Sequence, residues 1–385
     1  MNNHFWKAAL CAAMVPFALA GCGGGDDGGA QTGTLHVAMT DAPSCGFDHI
    51  YVTVSQVRVN ANTNASDNDA GWSTITLATP RKIDLLSLTN GVLADIGQTA
   101  LPAGQYQQIR LVLAPNQGNS LANSVVPTGG TEQALATPSA TQSGYKIIQP
   151  FTVQANTLVD LVLDFNACKS IVQRGNGTYA LKPVVTAIPT VVSGAISGYV
   201  APAEAGATVY AEQGGKVVRG TVADSTGKFV LSPLIQSSTQ GNYDVVIVQN
   251  NFASGIVRTV PVVVNTTTAV SASNAPITLP ASTMSSVSGT VTASADALVR
   301  ALQTVDARAY EITSINANMD TGAYALNVPT AAPIVGTYSG SLPVALAASP
   351  AAAAQYTIEA DAASGATRST NVNATTSQSN VNFSF

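Results

Sequence analysis

The stretch Ile50-Tyr51-Val52-Thr53-Val54-Ser55-Gln56-Val57-Arg58-Val59 sets the fold class of this 385-residue chain. Ile50, Val52 and Val54 alternate with polar or aromatic residues, which is the period of a β-strand that buries one face. The apolar positions then shift to Val57 and Val59. This shift predicts a β-bulge, because one extra residue returns the apolar side chains to the buried face.

Short segments of the same strand-like character surround this stretch. They cover residues 35–40, 73–77, 82–88, 106–113, 145–153, 158–165 and 179–188. Between residues 115 and 144 the chain is rich in Thr, Ser, Gly and Asn, and this low complexity predicts a mobile excursion, since loops of such length are uncommon in compact domains. Residues 183–203 carry no charge and contain several Pro and Gly residues, which predicts a domain boundary rather than a membrane helix.

The composition favours strands and excludes nucleic acid as a partner. Charged residues make up 10% of the chain, against about 25% in a typical globular protein. Val, Thr, Ser and Asn replace them and favour strands and turns over helices. The chain has 16 basic and 21 acidic side chains, and loss of Lys7 with a signal peptide would leave 15 and 21, a net charge of −6. No basic stripe is available to neutralise phosphates.

The first 33 residues resemble the start of a bacterial lipoprotein. Lys7 precedes an apolar run, residues 8–20, which is too short to span a bilayer and has the length of a signal-peptide core. The ending Leu19-Ala20-Gly21-Cys22 resembles a lipobox, whose cysteine is acylated (palmitate being a common chain) after removal of residues 1–21. An ordinary secretory signal with an incidental cysteine is the alternative.

Residues 22–33 form a Gly-rich tether, so the body would stay close to the membrane to which acylated Cys22 anchors it. In the enterobacterial sorting rule, an aspartate after the acylated cysteine retains a lipoprotein at the inner membrane. Gly23 occupies that position. The resemblance therefore implies the outer membrane of a Gram-negative bacterium, on either of its faces.

Two cysteines remain after processing, because Cys11 leaves with the signal and Cys22 is acylated. Cys45 and Cys168 would lie in an oxidising compartment, where an even pair predicts a disulfide. The alternative is a metal site or a nucleophilic thiol. His36 and His49 are the histidines that survive processing, and no C-x-x-C or H-E-x-x-H spacing is present. We therefore predict the disulfide and no metal site.

Five motifs resemble the domain of unknown function family 4382. They are Met39-Thr40-Asp41-Ala42-Pro43, residues 83–91, residues 104–113, Leu163-Asp164-Phe165-Asn166-Ala167-Cys168, and Tyr179-Ala180-Leu181-Lys182-Pro183. The resemblance implies a β-rich, exported, sandwich-like domain over residues 34–189. It supplies no established activity and therefore no catalytic residue.

Asp41 and Asp164 are the candidate catalytic pair, since each lies close in sequence to one of the two cysteines. If the disulfide forms, the two carboxylates could approach each other and perform acid–base or metal chemistry as in a hydrolase. Turn capping and backbone hydrogen bonding are the alternative roles for such aspartates.

Residues 193–281 and 284–385 form two weakly similar units. Strand-like segments at 196–200, 207–211, 224–231 and 243–247 correspond to 287–291, 297–301, 320–326 and 356–360. A D-x-x-G turn at Asp224 corresponds to D-x-G at Asp320. The pattern resembles the carboxypeptidase regulatory-like (prealbumin-like) sandwich. The predicted fold is therefore all-β: a sandwich-like domain followed by two small Ig/prealbumin-like sandwiches.

The predicted function is non-catalytic. No nucleophile elbow, phosphate loop or metal-ligand spacing occurs, and no cofactor is predicted. We expect an envelope lipoprotein whose sandwiches provide a binding or spacing surface for an envelope component. Glycan binding is one alternative, with Tyr210 as the contact. The second unit has Arg300 at the position that corresponds to Tyr210, and a residue required by the core would seldom be replaced by arginine, which suggests that Tyr210 is exposed. A hydrolase using Asp41 and Asp164 is the other.

Overall fold

The computed structural model describes residues 31–41, 46–118, 120–190, 193–236, 242–293, 296–342 and 344–385. These residues are almost entirely in strands and turns, which confirms the all-β prediction. The predicted signal peptide and most of the tether lie outside the described residues. None of the described helices has the length and apolar character needed to cross a bilayer.

Domain 1 consists of two sheets that enclose one core. Its elements are β1 Thr32–Asp41, β2 Phe47–Asn60, β3 Ser73–Asp84, β4 Ala94–Pro102, β5 Gly104–Leu113, β6 Ser124–Pro127, β7 Gln133–Ala136, β8 Tyr145–Val153, β9 Leu158–Phe165, α1 Ala167–Ser170, β10 Ile171–Gln173, β11 Tyr179–Leu181 and β12 Val185–Pro189. The smaller sheet has the order β12-β9-β1-β4, and the larger has β10-β11-β7-β6-β2-β5-β8 with β3 also paired to β2.

The long strand β2 organises the larger sheet, since it pairs with β3, β5 and β6. Ile50, Val52, Val54, Val57 and Val59 are all buried in the core of domain 1. A register shift between Val54 and Gln56 separates the two halves of the strand. The predicted bulge is therefore confirmed, and it keeps both halves facing the core.

The two following units are sandwiches. The first contains β13 Ser193–Tyr199, β14 Thr208–Gln213, β15 Lys216–Val222, β16 Lys228–Ile235, β17 Tyr243–Val248, β18 Gly255–Val260 and β19 Thr267–Ala269. The second contains β20 Met284–Thr292, β21 Leu298–Val305, β22 Arg308–Asn316, β23 Ala323–Pro329, β24 Ile334–Thr337, β25 Ala347–Ala348, β26 Gln355–Asp361, β27 Thr367–Asn373 and β28 Phe383–Ser384.

The sandwiches share one topology. Sheet β16-β13-β19 of the first corresponds to β23-β20-β28 of the second, and β15-β14-β17-β18 corresponds to β22-β21-β26-β27. Both larger sheets have a bulge at the same place, after Ala211 in β14 and after Ala301 in β21. The internal similarity seen in the sequence thus corresponds to a repeated architecture.

The two sandwiches are joined by a shared sheet. β24 of the second unit pairs in parallel with β18 of the first, and β25 pairs with β24. Ile334 and Val344 belong to the core of the first sandwich. In the opposite direction, Val246 and Ile256 of the first sandwich belong to the core of the second. The predicted boundary at residues 281–284 therefore separates two units of sequence, but the two units share a sheet and core residues across it.

Three local expectations differ from the structure. The stretch 115–144 was expected to be mobile, yet it contributes β6 and β7 to the larger sheet and buries Val125 and Leu135. Its small polar side chains serve the fold: Asn123 is buried and bonds the backbone of Thr53. The predicted strand at 82–88 becomes a 3₁₀ turn at Leu85–Ser87, which Asp84 caps. Strand β4 was not predicted, because its buried residues, Ala94, Ile96 and Leu101, do not follow a regular alternation.

The turns before β16 and β23 show how the repeats diverged. In the first, the Asp224 carboxylate accepts the amides of Thr226 and Lys228. In the second, Asn318 has this role and accepts the amides of Asp320 and Thr321. Asp320, which the sequence pattern aligned with Asp224, is therefore not needed as the cap of its turn and is available for a contact with domain 1.

Candidate functional site: a charged cleft between the three domains

A cleft of about 240 Å³ lies where domain 1 and both sandwiches meet. Its charged lining residues come from all three domains: Asp164 and Lys169 from domain 1, Lys216 from the first sandwich, and Arg300, Glu311 and Asp361 from the second. A larger groove of about 580 Å³ lies on domain 1 beside β5, but its described lining residues include no titratable side chain. The cleft is therefore the better candidate site.

Asp164 forms a buried ion pair with Arg219. The carboxylate lies on β9 of domain 1 and the guanidinium on β15 of the first sandwich, and both side chains are almost completely buried. Arg219 also donates from Nη2 to the carbonyl of Pro233 at 3.2 Å. Burial raises the pKa of the Asp164 carboxyl, and the charge of Arg219 counteracts that rise. The pair joins domain 1 to the first sandwich.

Asp41 and Asp164 do come near each other, at the ends of the neighbouring parallel strands β1 and β9. Asp41 Oδ1 accepts the backbone N–H of Ala167 at 2.9 Å, and its charge also acts on Arg219. Backbone hydrogen bonding was the alternative role for these aspartates, and Asp41 has it. Both carboxylates thus act on the same guanidinium.

Arg300 is the centre of a second charged group. It pairs with Glu311 at 3.2 Å, with Asp361 at 3.0 Å and, more closely, with Glu359. Glu311 in turn pairs with Lys169 of domain 1 at 2.8 Å. Arg300 Nη1 also donates to the carbonyl of Gly215 in the first sandwich at 3.2 Å. This network connects all three domains.

Glu212 is buried next to this network. Its Oε2 accepts the backbone N–H of Glu311 at 3.1 Å. Burial, followed by the nearby charge of Glu311, raises the pKa of Glu212 well above its usual range. Lys169 opposes the rise and Asp244 adds to it. A carboxyl in this setting is stabilised in its protonated form.

Tyr210 is not exposed, so this expectation was wrong. The side chain is half-buried and packs against the core of the second sandwich. Burial raises the pKa of its phenol. The argument from Arg300 failed because Arg300 is itself buried among carboxylates and therefore does not mark a surface position. A ligand contact through Tyr210 has no support from its position.

The remaining predicted site residues are placed only in part. Cys168 lies in α1, directly after β9. Cys22 and Cys45 lie outside the described residues, so the acylation and the Cys45–Cys168 disulfide stay predictions. Arg219, Arg300 and Glu212 were missed as site residues. A signal for them exists in the sequence, because charges are so few that a charged residue inside an apolar strand pattern is unusual.

The described residues include no group of three or more His, Cys, Asp or Glu side chains arranged to hold a metal ion.

Comparison with known proteins identifies one domain. Residues 32–183 match the family described as "Domain of unknown function (DUF4382)". A DUF4382 domain is therefore found in the region for which the motifs predicted it. No curated protein matches the chain.

Two solved pilin structures align with most of the chain's length. A streptococcal ancillary pilin has 9% identity over 92% of this chain and 99% of its own, with a TM-score of 0.16. The major pilin subunit of Bacillus cereus has 9% identity over the same shares, with a TM-score of 0.13. Scores this low carry no argument about fold or function.

Proposed function

We propose that this protein is a non-catalytic envelope lipoprotein that holds a rigid three-domain β body at the membrane surface. Acylated Cys22 would anchor it in the outer membrane, and residues 22–33 would tether the body closely. The bilayer is then its permanent partner. A component of the envelope, glycan or protein, would be held or spaced by the exposed surfaces of the body.

The buried Asp164–Arg219 pair carries this proposal. Separation of the two domains would break this buried ion pair and leave each charge without its partner, which is strongly unfavourable. The pair therefore favours a fixed arrangement of the two domains. Further contacts support the same conclusion. Asp320 accepts the amide of Gly175 at 2.6 Å, and the amide of Asn316 donates to the carbonyl of Lys169 at 2.9 Å. Domain 1 thus contacts both sandwiches.

The same contacts weigh against a hydrolase that uses Asp41 and Asp164. A general acid or base must reach a substrate proton, whereas Asp164 is buried against Arg219 and Asp41 bonds the backbone of Ala167. We expect no turnover of ester, peptide or glycoside substrates by the purified protein. Turnover that disappears in Asp41→Asn or Asp164→Asn, while folding is retained, would establish the hydrolase instead.

Anchoring is tested by metabolic labelling with an alkyne fatty acid. Wild type should incorporate the label and move to the detergent phase, whereas Cys22→Ser should do neither. Cys11→Ser is the matched control, because that cysteine would leave with the signal peptide and its loss should not change the labelling. Equal labelling of wild type and Cys22→Ser would refute the anchor.

The Cys45–Cys168 disulfide is tested on the exported protein without reductant. Mass spectrometry should find the peptides that contain the two cysteines linked to each other. The chain-entropy estimate for so long a loop is about 4–5 kcal/mol, so Cys168→Ser should lower the unfolding temperature of domain 1. Two thiols that react fully with an alkylating reagent in the native protein would contradict the pairing.

A further inference from the structure

The first described residues are bonded to two turns at one end of domain 1. The carbonyl of Gln31 accepts the amide of Ala103 at 2.7 Å, in the turn between β4 and β5. The carbonyl of Thr32 accepts the amide of Asn156 at 2.9 Å, in the turn between β8 and β9. We call this end of domain 1, formed by the start of β1 and these two turns, the tether end.

The tether end cannot lie far from the anchor of the proposed function. Gln31 is nine positions after Cys22. A chain of that length spans at most roughly 30 Å when it is fully extended. Its average span is about 17 Å when it is Gly-rich and flexible. Acylation of Cys22 would therefore hold the tether end, and no other part of domain 1, next to the bilayer.

The tether end carries no charged side chain. Three separate segments converge on it, residues 31–35, 97–109 and 147–159, and all three are uncharged. Its exposed polar groups are amides and hydroxyls, such as the side-chain amides of Gln105 and Gln154. These groups can bond to lipid headgroups without the cost of removing an ion from water.

The first charged side chains farther along β1 and β9 bond to one another. His36 Nδ1 lies 2.7 Å from Asp160 Oδ1, and His36 Nε2 lies 3.0 Å from Asp95 Oδ1 on β4. Asp160 is two residues after Leu158, which places it roughly 7 Å farther from the start of β9. This group therefore marks the limit of the uncharged end.

Leu158 provides an apolar contact at the tether end. It is the first residue of β9, and its 58% exposure is the highest among the large apolar side chains that the structure describes. Pro102 and Ala103 of the other turn are also exposed. The tether would make contact with the membrane intramolecular, so that a weak interaction is sufficient.

We propose that the tether end docks on the bilayer that holds Cys22, with Leu158 at the boundary between headgroups and acyl chains. The inference rests on the proposed lipoprotein function and adds to it the surface that faces the membrane. Domain 1 then stands on its tether end instead of moving freely on the tether.

The part of the first sandwich that lies beside the tether end is uncharged as well. Thr190 Oγ1 donates to the carbonyl of Asp160 at 3.4 Å, and Ser193 Oγ donates to the carbonyl of Thr190 at 2.9 Å. The amide of Asn265 donates to the carbonyl of Ser193 at 3.0 Å. Residues 259–273 contain no charged side chain. The first sandwich therefore adds no charge here that would oppose docking.

The second sandwich contacts domain 1 at the opposite end. Asn316 bonds the carbonyls of Lys169 and Ile171, which follow the last residue of β9. The two ends of this strand, Leu158 and Phe165, are roughly 23 Å apart. Docking through the tether end thus leaves the second sandwich away from the membrane, where an envelope component can reach it.

The test is tryptophan fluorescence of the full-length acylated protein in vesicles of phosphatidylethanolamine and phosphatidylglycerol. Brominated acyl chains in these lipids quench tryptophans that reach the bilayer. Leu158→Trp and Ala103→Trp place reporters at the tether end, and each should be quenched severalfold more than Ile315→Trp. Ile315→Trp is the matched control, because Ile315 is an exposed apolar residue next to Asn316. Wild type gives the background from Trp72.

A second change at Leu158 tests the contact itself. Leu158→Asp, combined with the Ala103→Trp reporter, should lower the quenching severalfold, because its carboxylate would have to leave water. Leu158→Asn has nearly the same size without the charge and should lower the quenching less. Leu158 is exposed, so both variants should keep the wild-type unfolding temperature.

The outcomes separate docking from anchoring. Protein that floats with the vesicles but shows equal quenching at all three reporters would overturn the docking and leave the anchor intact. Quenching of Ala103→Trp that is unchanged by Leu158→Asp would also overturn it. Wild type that does not float with the vesicles would refute both the anchor and the docking.

Discussion

The two sandwiches have the same sheet topology, but their buried arginines pair with different partners. In the first, Arg219 on β15 reaches out to Asp164 of domain 1. In the second, the corresponding register position on β22 holds Thr313, and the buried arginine is Arg300 on β21, paired mainly with carboxylates of its own sheet. The comparison teaches that topology is duplicated with the repeat, whereas the contacts between domains are built separately in each copy.

The largest effect is expected where the first sandwich depends on domain 1. Arg219→Met removes the guanidinium and leaves the Asp164 carboxylate buried without its partner, which should cost about 3–5 kcal/mol. Thermal and denaturant unfolding measure this loss. Thr313→Met, at the corresponding position of the second sandwich, should change stability much less, because Thr313 is only half-buried and its uncharged side chain leaves no charge without a partner when it is replaced.

A double-mutant cycle separates the ion pair from other effects of the substitution. Arg219→Met with Asp164→Asn should be less destabilised than the sum of the two single variants, since the second change removes the unpaired charge. Additive losses would mean that the two side chains do not interact in solution. The difference between the sandwiches would then lie only in packing.

An intermediate and equal effect is expected at a feature that the repeats share. Gly227 and Gly322 close the turns before β16 and β23 with φ angles of 80° and 66°. A Cβ at either would collide with a backbone carbonyl, that of Val200 in the first sandwich and that of Val291 in the second. Gly227→Ala and Gly322→Ala should each cost about 1–3 kcal/mol.

Gly365→Ala provides the control for these turns. Gly365 also has a positive φ, 86°, but no atom lies near the position of an added Cβ. Its substitution should therefore cost less than either turn variant, and unfolding midpoints compare the three directly. A Gly322→Ala variant no less stable than Gly365→Ala would show that the approach of the Val291 carbonyl adds no cost at this turn.

The sequence predicted what depends on local patterning. The alternation of Ile50, Val52 and Val54 and its shift at Val57 were sufficient for the strand and its bulge, because a strand reports its buried face through a period of two. The motifs at residues 39–43 and 163–168 placed the DUF4382 domain, and the family comparison agrees. The repeated turns at Gly227 and Gly322 identified the two sandwiches, because a positive φ restricts the choice of residue.

The sequence could not predict contacts between distant segments. Tyr210 was expected to be exposed because Arg300 takes its place, yet Arg300 is buried by carboxylates on strands β22 and β26. The pairing of β24 with β18 was also missed, since nothing local in residues 334–337 indicates which sheet they join. Asp320 resembled a turn cap and instead bonds Gly175. Each case depends on tertiary packing that a local pattern does not record.

The smallest effect concerns Glu212, whose environment depends on both sandwiches. Burial and the charge of Glu311 raise its pKa in the folded protein above the ordinary value of 4.5. The folded state therefore binds the Glu212 proton more tightly than the unfolded state, and stability falls as the pH rises from about 4.5 through the folded pKa.

Glu212→Gln keeps an oxygen that accepts the Glu311 amide, but it cannot ionise. The variant should equal wild type in acid and exceed it increasingly toward neutral and alkaline pH. Glu359→Gln is the matched control with the opposite sign, because that carboxylate pairs with Arg300 and its loss should lower stability at neutral pH. Unfolding temperatures measured from pH 4 to 9 would contradict this account if Glu212→Gln were less stable than wild type at high pH, since Glu212 would then act as a paired anion between the two sandwiches.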